Sequence, residues 1–340
     1  MSYIFRSDAP RVGERVVVRR NMGGGVHSDV IGHVVSLDPL IVRPQEVGGY
    51  PSALEAITIP DEQIQIVKKL SPRMVRNSDI RAVEVATAAA FPGKEHTWTA
   101  DGQWLMRAGD GVTERSNSAT PLGPSAGFTQ VPLAEIEAFY TRHDLPLILE
   151  LPERIGKPAE KLVAGNPAWT LGPEISVMVR SLEDLNDLPD RPDEWEFHID
   201  DQPDDDWLAL YHFRGQALPP EALEYLRTRI EGHMGFGRLV TREGETVAIT
   251  RGTLTDCGNG THWLGYSAVE VAPAWRRRGL ATQLGMDMLR WGREHGAERA
   301  YLQVLGTNEA GVGLYTKLGF IEQHRHRYAH FTGEPGTAAR

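Results

Sequence analysis

The chain has 340 residues, more than a single hydrophobic core usually serves, so we expect two or three domains. Its hydrophobic content of 41% and charged content of 24% are those of an ordinary globular protein, and a net charge of −10 argues against nucleic acid as the main partner. The single cysteine, Cys257, excludes an intrachain disulfide and a cysteine-based zinc site.

The N-terminal residues 1–8 lack an apolar signal core, and no run reaches the ~18 apolar residues that a membrane span needs. We therefore expect a cytoplasmic protein without a membrane partner.

The first 70 residues are rich in short apolar runs separated by turn residues. Five segments predict β-strands, at residues 16–18, 30–37, 40–42, 56–59 and 64–67, with a hairpin tip at 21–25. Five short strands without a helix predict a small SH3-like β-barrel over residues 1–70. Such barrels bind peptides or nucleic acid, or pack against a neighbour, and packing is the role we expect here.

The middle of the chain, residues 71–182, has a mixed α/β pattern. Helices are predicted over 78–91 and 132–143, and strands over 103–107, 147–151 and 175–179. No group of residues in this region has the spacing of a chemical site, so we expect it to be non-catalytic. The acidic run 183–193, which contains two prolines, is the predicted linker to the next domain.

A second α/β domain is predicted over residues 194–332, followed by a tail at 333–340. Strands are expected at 195–199, 237–241, 246–251 and 263–271, and an amphipathic helix at 219–230.

A strand, a loop and a helix over residues 268–296 predict an anion site. The strand ends at Pro273, and the helix that follows carries an apolar stripe that begins at Leu280. Three arginines, Gly279 and Ala281 lie at the start of that helix, whose first turn offers unpaired N–H groups to an anion. A pyrophosphate fits this pattern, although a group of arginines before a helix also occurs as a solvated surface.

The next strand and helix carry a second pattern. A strand over 301–305 is followed by Thr307 and Asn308, which open a helix that ends at Gly319. Asn308 and Tyr315 are seven positions apart and so share one helical face. That face can direct an amide and a phenol at one extended ligand.

Together these residues resemble the signatures of the GNAT superfamily of N-acetyltransferases. Residues 276–281, Arg-Arg-Arg-Gly-Leu-Ala, match its R/Q-x-x-G-x-G/A loop, and Asn308 with residues 314–320, Leu-Tyr-Thr-Lys-Leu-Gly-Phe, matches its N…LYxxxGF signature. The resemblance implies an α/β GNAT fold, in which a mixed, splayed sheet flanked by helices holds acetyl-CoA, with no metal. The whole chain is similar to actinobacterial acetyltransferases with an N-terminal barrel. Its middle region resembles a degenerate GNAT-like half, in which residues 139–145 distantly echo LYxxxGF.

The resemblance also implies roles for individual residues. The backbone near Val269 and Val271 would hold the thioester and pantetheine, Asn308 the pantetheine arm, and Tyr315 would protonate the leaving thiolate. The alternative for Tyr315 is a packed core aromatic. The residues assigned to the pyrophosphate are those of the loop and first helical turn: Arg276, Arg277, Arg278, Gly279, Leu280, Ala281 and Thr282.

The general base is not obvious. Many relatives carry a glutamate at the positions that correspond to Gly265 and Gln303, neither of which accepts a proton usefully. Glu270 is the carboxylate that remains in this apolar strand, so we predict that it acts as the base, directly or through water. The alternative is a structural, salt-bridged glutamate.

The missing carboxylates favour an acceptor that a weak base can deprotonate. At neutral pH, deprotonation costs roughly 1–1.5 kcal/mol for an α-amino group and more than about 4 kcal/mol for a lysine side chain. The predicted acceptor is therefore a small-molecule primary amine such as an amino acid, with glutamate among the candidates. A protein or peptide acetyltransferase recruited through the barrel and a non-catalytic acetyl-CoA-binding regulatory module are the alternatives. The oligomeric state stays open.

Overall fold

The computed structural model describes residues 4–186, 188, 194–213, 216, 217, 220–334 and 336–338. The chain divides into two compact units: Met1–Arg76 with Glu322–His324, and Asn77–Ile321 with Arg325–Arg340. None of the helices in the described ranges combines the length and the apolar composition that a bilayer span requires.

The first unit contains a five-stranded antiparallel sheet. Its strands are β1 (Arg15–Asn21), β2 (His27–Leu37), β3 (Leu40–Pro44), β4 (Ile57–Thr58) and β5 (Ile64–Lys69), in the order β4-β3-β2-β1-β5. Alternate side chains such as Val16, Val18 and Val42 are fully buried, as expected where one face of a strand packs on a core. All five predicted strands are therefore confirmed, and closure into an SH3-like barrel stays a prediction.

The second unit begins with the elements of the middle region. They are α1 (Asn77–Ala90), β6 (Glu95–Trp98), β7 (Leu105–Ala108), β8 (Ala119–Thr120), α2 (Leu133–Arg142), β9 (Ile148–Pro152), α3 (Lys157–Val163), β10 (Trp169–Leu171) and β11 (Ile175–Ser181). The two predicted helices and three predicted strands are confirmed. The short elements β6, β8, α3 and β10 had no predicted counterpart.

The C-terminal region supplies the rest of this unit. Its elements are β12 (Glu196–Asp200), α4 (Asp205–Leu210), β13 (His212–Phe213), β14 (Gln216–Ala217), α5 (Pro220–Arg229), β15 (Gly232–Val240), β16 (Thr246–Asp256), β17 (His262–Val271), α6 (Leu280–Glu294), β18 (Arg299–Leu305), α7 (Glu309–Lys317) and β19 (Ile321–Phe331). The predicted strands and helices of this region are confirmed.

Strands of both regions join one mixed sheet of twelve strands. Eleven follow the order β12-β15-β16-β17-β18-β11-β19-β9-β8-β7-β6, and β10 pairs with β19. Starting from α1 and from α5, each region runs helix, three antiparallel strands, helix, parallel strand and helix. The final strands are exchanged: β11 pairs with β18, and β19 pairs with β9. The middle region thus repeats the element order of the C-terminal region, and the predicted boundary between them falls inside one compact unit.

This element order corrects one interpretation of the sequence. Residues 139–145 belong to α2 and the turn after it, and α2 lies between β8 and β9 as α6 lies between β17 and β18. The counterpart of α7, which carries Tyr315, is α3. The echo of LYxxxGF at 139–145 is therefore wrong, because it falls on the helix that corresponds to α6.

The predicted linker also differs in part from the structure. Leu185 and Leu188 are buried in the core beneath α6, together with Leu182. Leu182, Leu185 and Leu188 are each three residues apart, so their side chains lie on one side of a segment that is otherwise acidic. Residues 187 and 189–193 of the predicted linker, and 335, 339 and 340 of the predicted tail, lie outside the described residues.

Candidate active site

The parallel strands β17 and β18 separate along their length. They pair over four positions, from Trp263 with Arg299 to Tyr266 with Leu302. Beyond Tyr266, β17 continues to pair with β16 as far as Val271, while β18 pairs with β11 as far as Leu305. The two strands therefore leave a gap between them, and backbone groups that face this gap need partners from elsewhere.

A β-bulge lies in β17 where the gap opens. Ile249 of β16 pairs with Glu270 and Arg251 pairs with Ser267, so Thr250 faces both Ala268 and Val269. Ala268 has a φ of 56°, which is uncommon for a residue other than glycine and fits a bulge.

The bulge changes which residues of β17 face each side of the sheet. Val269 and Val271 pack with Leu280 and Leu284 of α6. Glu270 lies opposite Ile249, which packs with Trp207 of α4, and cross-strand partners share a face of the sheet. The predicted thioester-binding valines and the predicted base thus lie on opposite faces.

The loop before α6 presents an accessible helix N-terminus. Arg276, Arg277 and Arg278 are exposed, and the Arg276 side chain donates a hydrogen bond to the backbone carbonyl of Val271 at 3.1 Å. Gly279 is the N-cap residue and has a φ of 84°. A β-carbon built on Gly279 would meet no heavy atom of the described residues within 4 Å. The geometry fits an anion that approaches the first N–H groups of α6.

The predicted pyrophosphate residues in the first turn of α6 differ in solvent exposure. Ala281 and Thr282 are partly exposed in the first turn, whereas the Leu280 side chain is buried in the core. Leu280 therefore offers its backbone, but not its side chain, to a ligand.

Asn308 is the N-cap residue of α7. Its side-chain oxygen accepts a hydrogen bond from the backbone N–H of Gly311 at 3.0 Å. This bond satisfies one of the free donors at the helix start and gives Asn308 a structural task. Binding of pantetheine by Asn308 stays a prediction.

Tyr315 packs on the side of α7 that faces Tyr266. The two rings meet edge to face with centroids 5.9 Å apart, and Phe320 packs 6.1 Å away on Tyr315. Burial raises the pKa of Tyr315 to about 12, so the phenol keeps its proton at neutral pH. Burial also raises the pKa of Tyr266, whose hydroxyl has no hydrogen-bond partner in the described part of the chain. Sequence reasoning missed Tyr266, because no local pattern marks it.

The structure places Glu270 at the margin of the sheet. Its side chain is half-buried, and among the described residues it forms no salt bridge or side-chain hydrogen bond. The bulge and the strand end bring this residue near the surface, and its role as the base stays a prediction. The salt-bridged alternative has no support in the described residues.

Buried polar groups lie at Gly265 and Gln303, the positions where the sequence analysis looked for a glutamate. A β-carbon on Gly265 would lie 2.7 Å from the Tyr301 hydroxyl and would also clash with the Thr253 hydroxyl, so these groups fill the space of a side chain. Burial raises the pKa of Tyr301 to about 12. Gln303, on β18, has a buried amide nitrogen without a hydrogen-bond partner in the described residues.

A narrow cleft, with a cavity volume of about 10 Å³, lies at the fork of β17 and β18, on the face opposite α6. Gly265, Ser267 and Gln303 line it from the sheet, and Phe91 and Arg115 line it from the middle region. The region predicted to be non-catalytic therefore supplies one wall of the candidate site.

A separate buried cluster lies on α1, β9 and β19. Carboxylate oxygens of Glu84 and Glu150 and a ring nitrogen of His326 lie within 4.8 Å of one another. The Nη2 atom of Arg107 is 3.0 Å from Oε2 of Glu150. Burial, reinforced by Glu150, raises the pKa of Glu84 to about 8. Burial alone would raise the pKa of Glu150, but the hydrogen bond and charge of His326, with Arg107, lower it to about 2. This arrangement holds one neutral and one ionised carboxyl group at neutral pH.

Two sequence comparisons find relatives over most of the chain. Residues 77–329 match the family model described as "Probable histone acetyltransferase Rv0428c C-terminal". A Mycobacterium tuberculosis protein described as "Probable histone acetyltransferase Rv0428c" is 36% identical over 323 residues, which cover 94% of this chain and 95% of that protein. The "Uncharacterized N-acetyltransferase YobR" of Bacillus subtilis is 28% identical over 257 residues, which cover 74% of this chain and 98% of that protein.

Solved structures share the fold. A GCN5-related N-acetyltransferase from Kribbella flavida has a TM-score of 0.54 at 16% identity, over 75% of this chain and 96% of that one. A tandem GNAT protein from the clavulanic acid biosynthesis pathway has a TM-score of 0.53 at 15% identity, over 78% of this chain and 91% of that one. The predicted mixed sheet flanked by helices is confirmed.

Proposed function

Because this chain belongs to the Rv0428c C-terminal family and is a GNAT-type N-acetyltransferase, we propose that it acetylates the α-amino group of a small molecule, such as an amino acid. The observation that carries the proposal is the gap between β17 and β18, with the N-terminus of α6 beside it and no carboxylate at Gly265 or Gln303. Glutamate is the first amino acid to test.

The residues around the gap fit acetyl-CoA, the acetyl donor of this superfamily. Gly279 leaves the first turn of α6 accessible, and exposed arginines precede it, which suits a pyrophosphate. The backbone at Val269 and Val271 would hold the thioester and pantetheine, with Asn308 on the other side of the gap. When bound, acetyl-CoA supplies the acetyl group and a thiolate that leaves.

Tyr315 is the proposed general acid. With a pKa of about 12 it is protonated at neutral pH, so its hydroxyl can donate a hydrogen bond to the sulfur as negative charge develops there. Complete transfer to a thiolate of pKa ~8.5 is uphill by roughly 5 kcal/mol, and a tyrosinate formed in this way regains its proton from water. Glu270 is the proposed base, directly or through water, since it is half-buried and not engaged in a salt bridge among the described residues.

With no carboxylate at Gly265 or Gln303, the site favours an acceptor whose amine has a low pKa and is easily deprotonated. Deprotonation at neutral pH costs an α-amino group roughly 1–1.5 kcal/mol, against more than about 4 kcal/mol for a lysine side chain. This difference supports an amino acid or another α-amine over a lysine.

A second candidate acceptor is a protein. Its support is the relative described as a histone acetyltransferase, which is 36% identical to this chain over nearly its whole length. The acceptor would then be a lysine side chain.

An acceptor screen separates the two. The purified chain is mixed with acetyl-CoA and with single α-amino acids, polyamines or lysine peptides with blocked N-termini, and thiol release is followed. We expect turnover with α-amino acids and weak turnover with the blocked peptides. A kcat/KM that is higher for blocked lysine peptides than for every amino acid would contradict the proposal.

The base is tested by Glu270→Gln. We expect turnover to fall most at low pH, where more of the amine is protonated, with CoA affinity nearly unchanged. The pH–rate profile of the variant is compared with that of the parent. Parallel profiles would remove Glu270 from proton transfer.

A further inference from the structure

Arg251 is a buried arginine at the edge of the candidate cleft. It lies on β16 directly opposite Ser267, the β17 residue that lines the cleft just before the bulge. Because cross-strand partners project from the same face, the two side chains lie side by side, and Arg251 Nε is 3.3 Å from Ser267 Oγ. Arg251 is 3% exposed.

The surroundings of Arg251 contain no compensating charge in the described part of the chain. Its hydrogen bonds go to two hydroxyl groups, those of Ser267 at 3.3 Å and Tyr211 at 3.4 Å. The rings of Phe91 and Tyr211 lie 5.7 and 5.9 Å from the guanidinium carbon. None of the described carboxylates comes within 4 Å, and Nη2 donates no hydrogen bond to the described residues.

Arg107 shows what a compensated buried arginine looks like in the same sheet. It is 1% exposed, and its Nη2 lies 3.0 Å from the carboxylate of Glu150 and within hydrogen-bond distance of Ser118 and Thr120. A buried charge without such a partner is costly, since aromatic faces and long hydroxyl bonds replace only part of its hydration. Arg251 therefore has the surroundings of a group whose counter-ion is a ligand.

A second arginine approaches the same place from the middle region. The guanidinium carbon of Arg115 lies 4.4 Å from the centroid of the Phe91 ring, and Arg115 lines the cleft. It too has no carboxylate within 4 Å among the described residues. Two cations thus meet at one aromatic ring in a chain whose net charge is −10.

We propose that Arg251, assisted by Arg115, binds a carboxylate group of the acceptor, so that the substrate is an amine that also carries a carboxylate. This inference rests on the proposed function and names the substrate class of that site. The planar guanidinium of Arg251 matches a carboxylate, and Ser267 adds a hydroxyl beside it. In an α-amino acid the amine is two bonds from the carboxyl carbon, so a carboxylate held beside Ser267 leaves the amine next to the fork of β17 and β18.

The test compares an acid with its amide. The α-amino acid that gives the highest kcat/KM in the acceptor screen and its α-carboxamide are assayed with the parent, with Arg251→Met and with Arg251→Lys. In the parent we expect the acid to be preferred, and in Arg251→Met the kcat/KM for the acid to fall by about 10- to 100-fold, the usual worth of a hydrogen bond to a charged group. The amide should change by less than about threefold. Arg251→Lys, which keeps the charge without the planar fork, should lie between.

Thermal unfolding separates binding from a structural role. Removing an uncompensated buried charge should leave the Tm of Arg251→Met within a few degrees of the parent or above it. Arg107→Met, the matched control, strands the charge of Glu150 and should lower the Tm by several degrees or more. A fall of the same size in Arg251→Met would assign Arg251 to the core.

Each kinetic outcome bears on the two proposals differently. Equal use of acid and amide by the parent, or equal losses for both in Arg251→Met, overturns the carboxylate subsite and leaves the acetyltransfer to small amines intact. A preference for blocked lysine peptides overturns the proposed function, and the carboxylate subsite falls with it.

Discussion

Gly279 and Gly296 have nearly the same backbone conformation at opposite ends of α6. Their φ angles are 84° and 85°, and a β-carbon at either position would meet none of the described heavy atoms within 4 Å. Replacing either by valine should therefore impose similar backbone strain, of about 1–2 kcal/mol. Only Gly279 lies where the proposed pyrophosphate meets the helix.

We expect Gly279→Val to weaken CoA binding at least tenfold and Gly296→Val to leave it unchanged. Calorimetric titration with CoA measures both, and the pair removes backbone strain as an explanation. If Gly279→Val binds CoA as tightly as Gly296→Val, the loop has been misassigned.

Tyr315 has a conservative test. Tyr315→Phe keeps the ring that packs on Tyr266 and Phe320 and removes the proton. A general acid predicts a fall in kcat of roughly 10²–10⁴-fold with a similar fall in kcat/KM, and a change in acetyl-CoA affinity of little more than about 1 kcal/mol.

Tyr328→Phe is the matched control for Tyr315→Phe, since its buried hydroxyl lies on β19 and has no hydrogen-bond partner in the described residues. Steady-state kinetics of both variants decide between acid and packing. Activity of Tyr315→Phe within about threefold of the parent would end the assignment of Tyr315 as the acid.

At the scale of elements, the buried cluster on α1, β9 and β19 makes stability depend on pH. The pKa of Glu84 is about 8 in the folded chain, against an ordinary value of 4.5. Between these values the folded state holds one more proton than the unfolded state. The contribution of Glu84 is therefore fully present below pH 4.5 and is lost as the pH rises toward 8, by up to about 1.4 kcal/mol per pH unit.

We expect Glu84→Gln to flatten the fall in the free energy of unfolding between pH 5 and pH 8. Urea unfolding of the parent and the variant at several pH values measures this slope. Glu294→Gln, at an exposed position near the end of α6, is the control and should keep the parental slope. An unchanged slope in Glu84→Gln would show that another group holds the extra proton.

Elements and motifs that are local in sequence could be predicted. The strand, loop and helix around Gly279, and the helix that carries Tyr315, follow from residue patterns within about 20 positions of each other, because capping and periodicity are local. Strand ends were less predictable. The strand predicted at 246–251 extends to Asp256 in β16, since pairing with both β15 and β17 continues beyond the apolar run.

The acceptor side of the site could not be predicted from sequence. Phe91 and Arg115 come from the middle region, and Phe91 reaches Arg251 because it follows α1, which packs on β16 through the hydrogen bond from Thr255 to the Ala86 carbonyl. No spacing along the chain links these residues. A weak signal did exist in Arg251, a charged residue in the middle of a strand that is apolar and rich in threonine, because a buried charge needs a partner.

At the scale of the molecule, the exchanged strands determine which fragments of the chain can fold. A fragment from residue 194 to the C-terminus lacks β11, which pairs with β18 from Arg299 to Leu305. It also lacks β9, the neighbour of β19. We expect this fragment to aggregate or to remain unfolded, because β18 would become an edge strand and β19 would lose its neighbours β9, β10 and β11.

A fragment that begins at Asn77, the start of the second compact unit, should fold and bind CoA. Circular dichroism and calorimetry on both fragments test this expectation. Binding of CoA by the shorter fragment with the affinity of the whole chain would mean that the exchange is dispensable.

The exchange of β11 and β19 also affects the order in which strands can pair during synthesis. β9 leaves the ribosome long before β19, yet the two pair from Ile148–His330 to Pro152–His326. The middle region must therefore wait, with a sheet edge unpaired, until β19 has been made. Contacts so distant along the chain slow folding and lengthen the time in which an exposed strand edge can pair with another molecule. A premature stop before Ile321, where β19 begins, would consequently leave β9, which was made much earlier, without its partner strand.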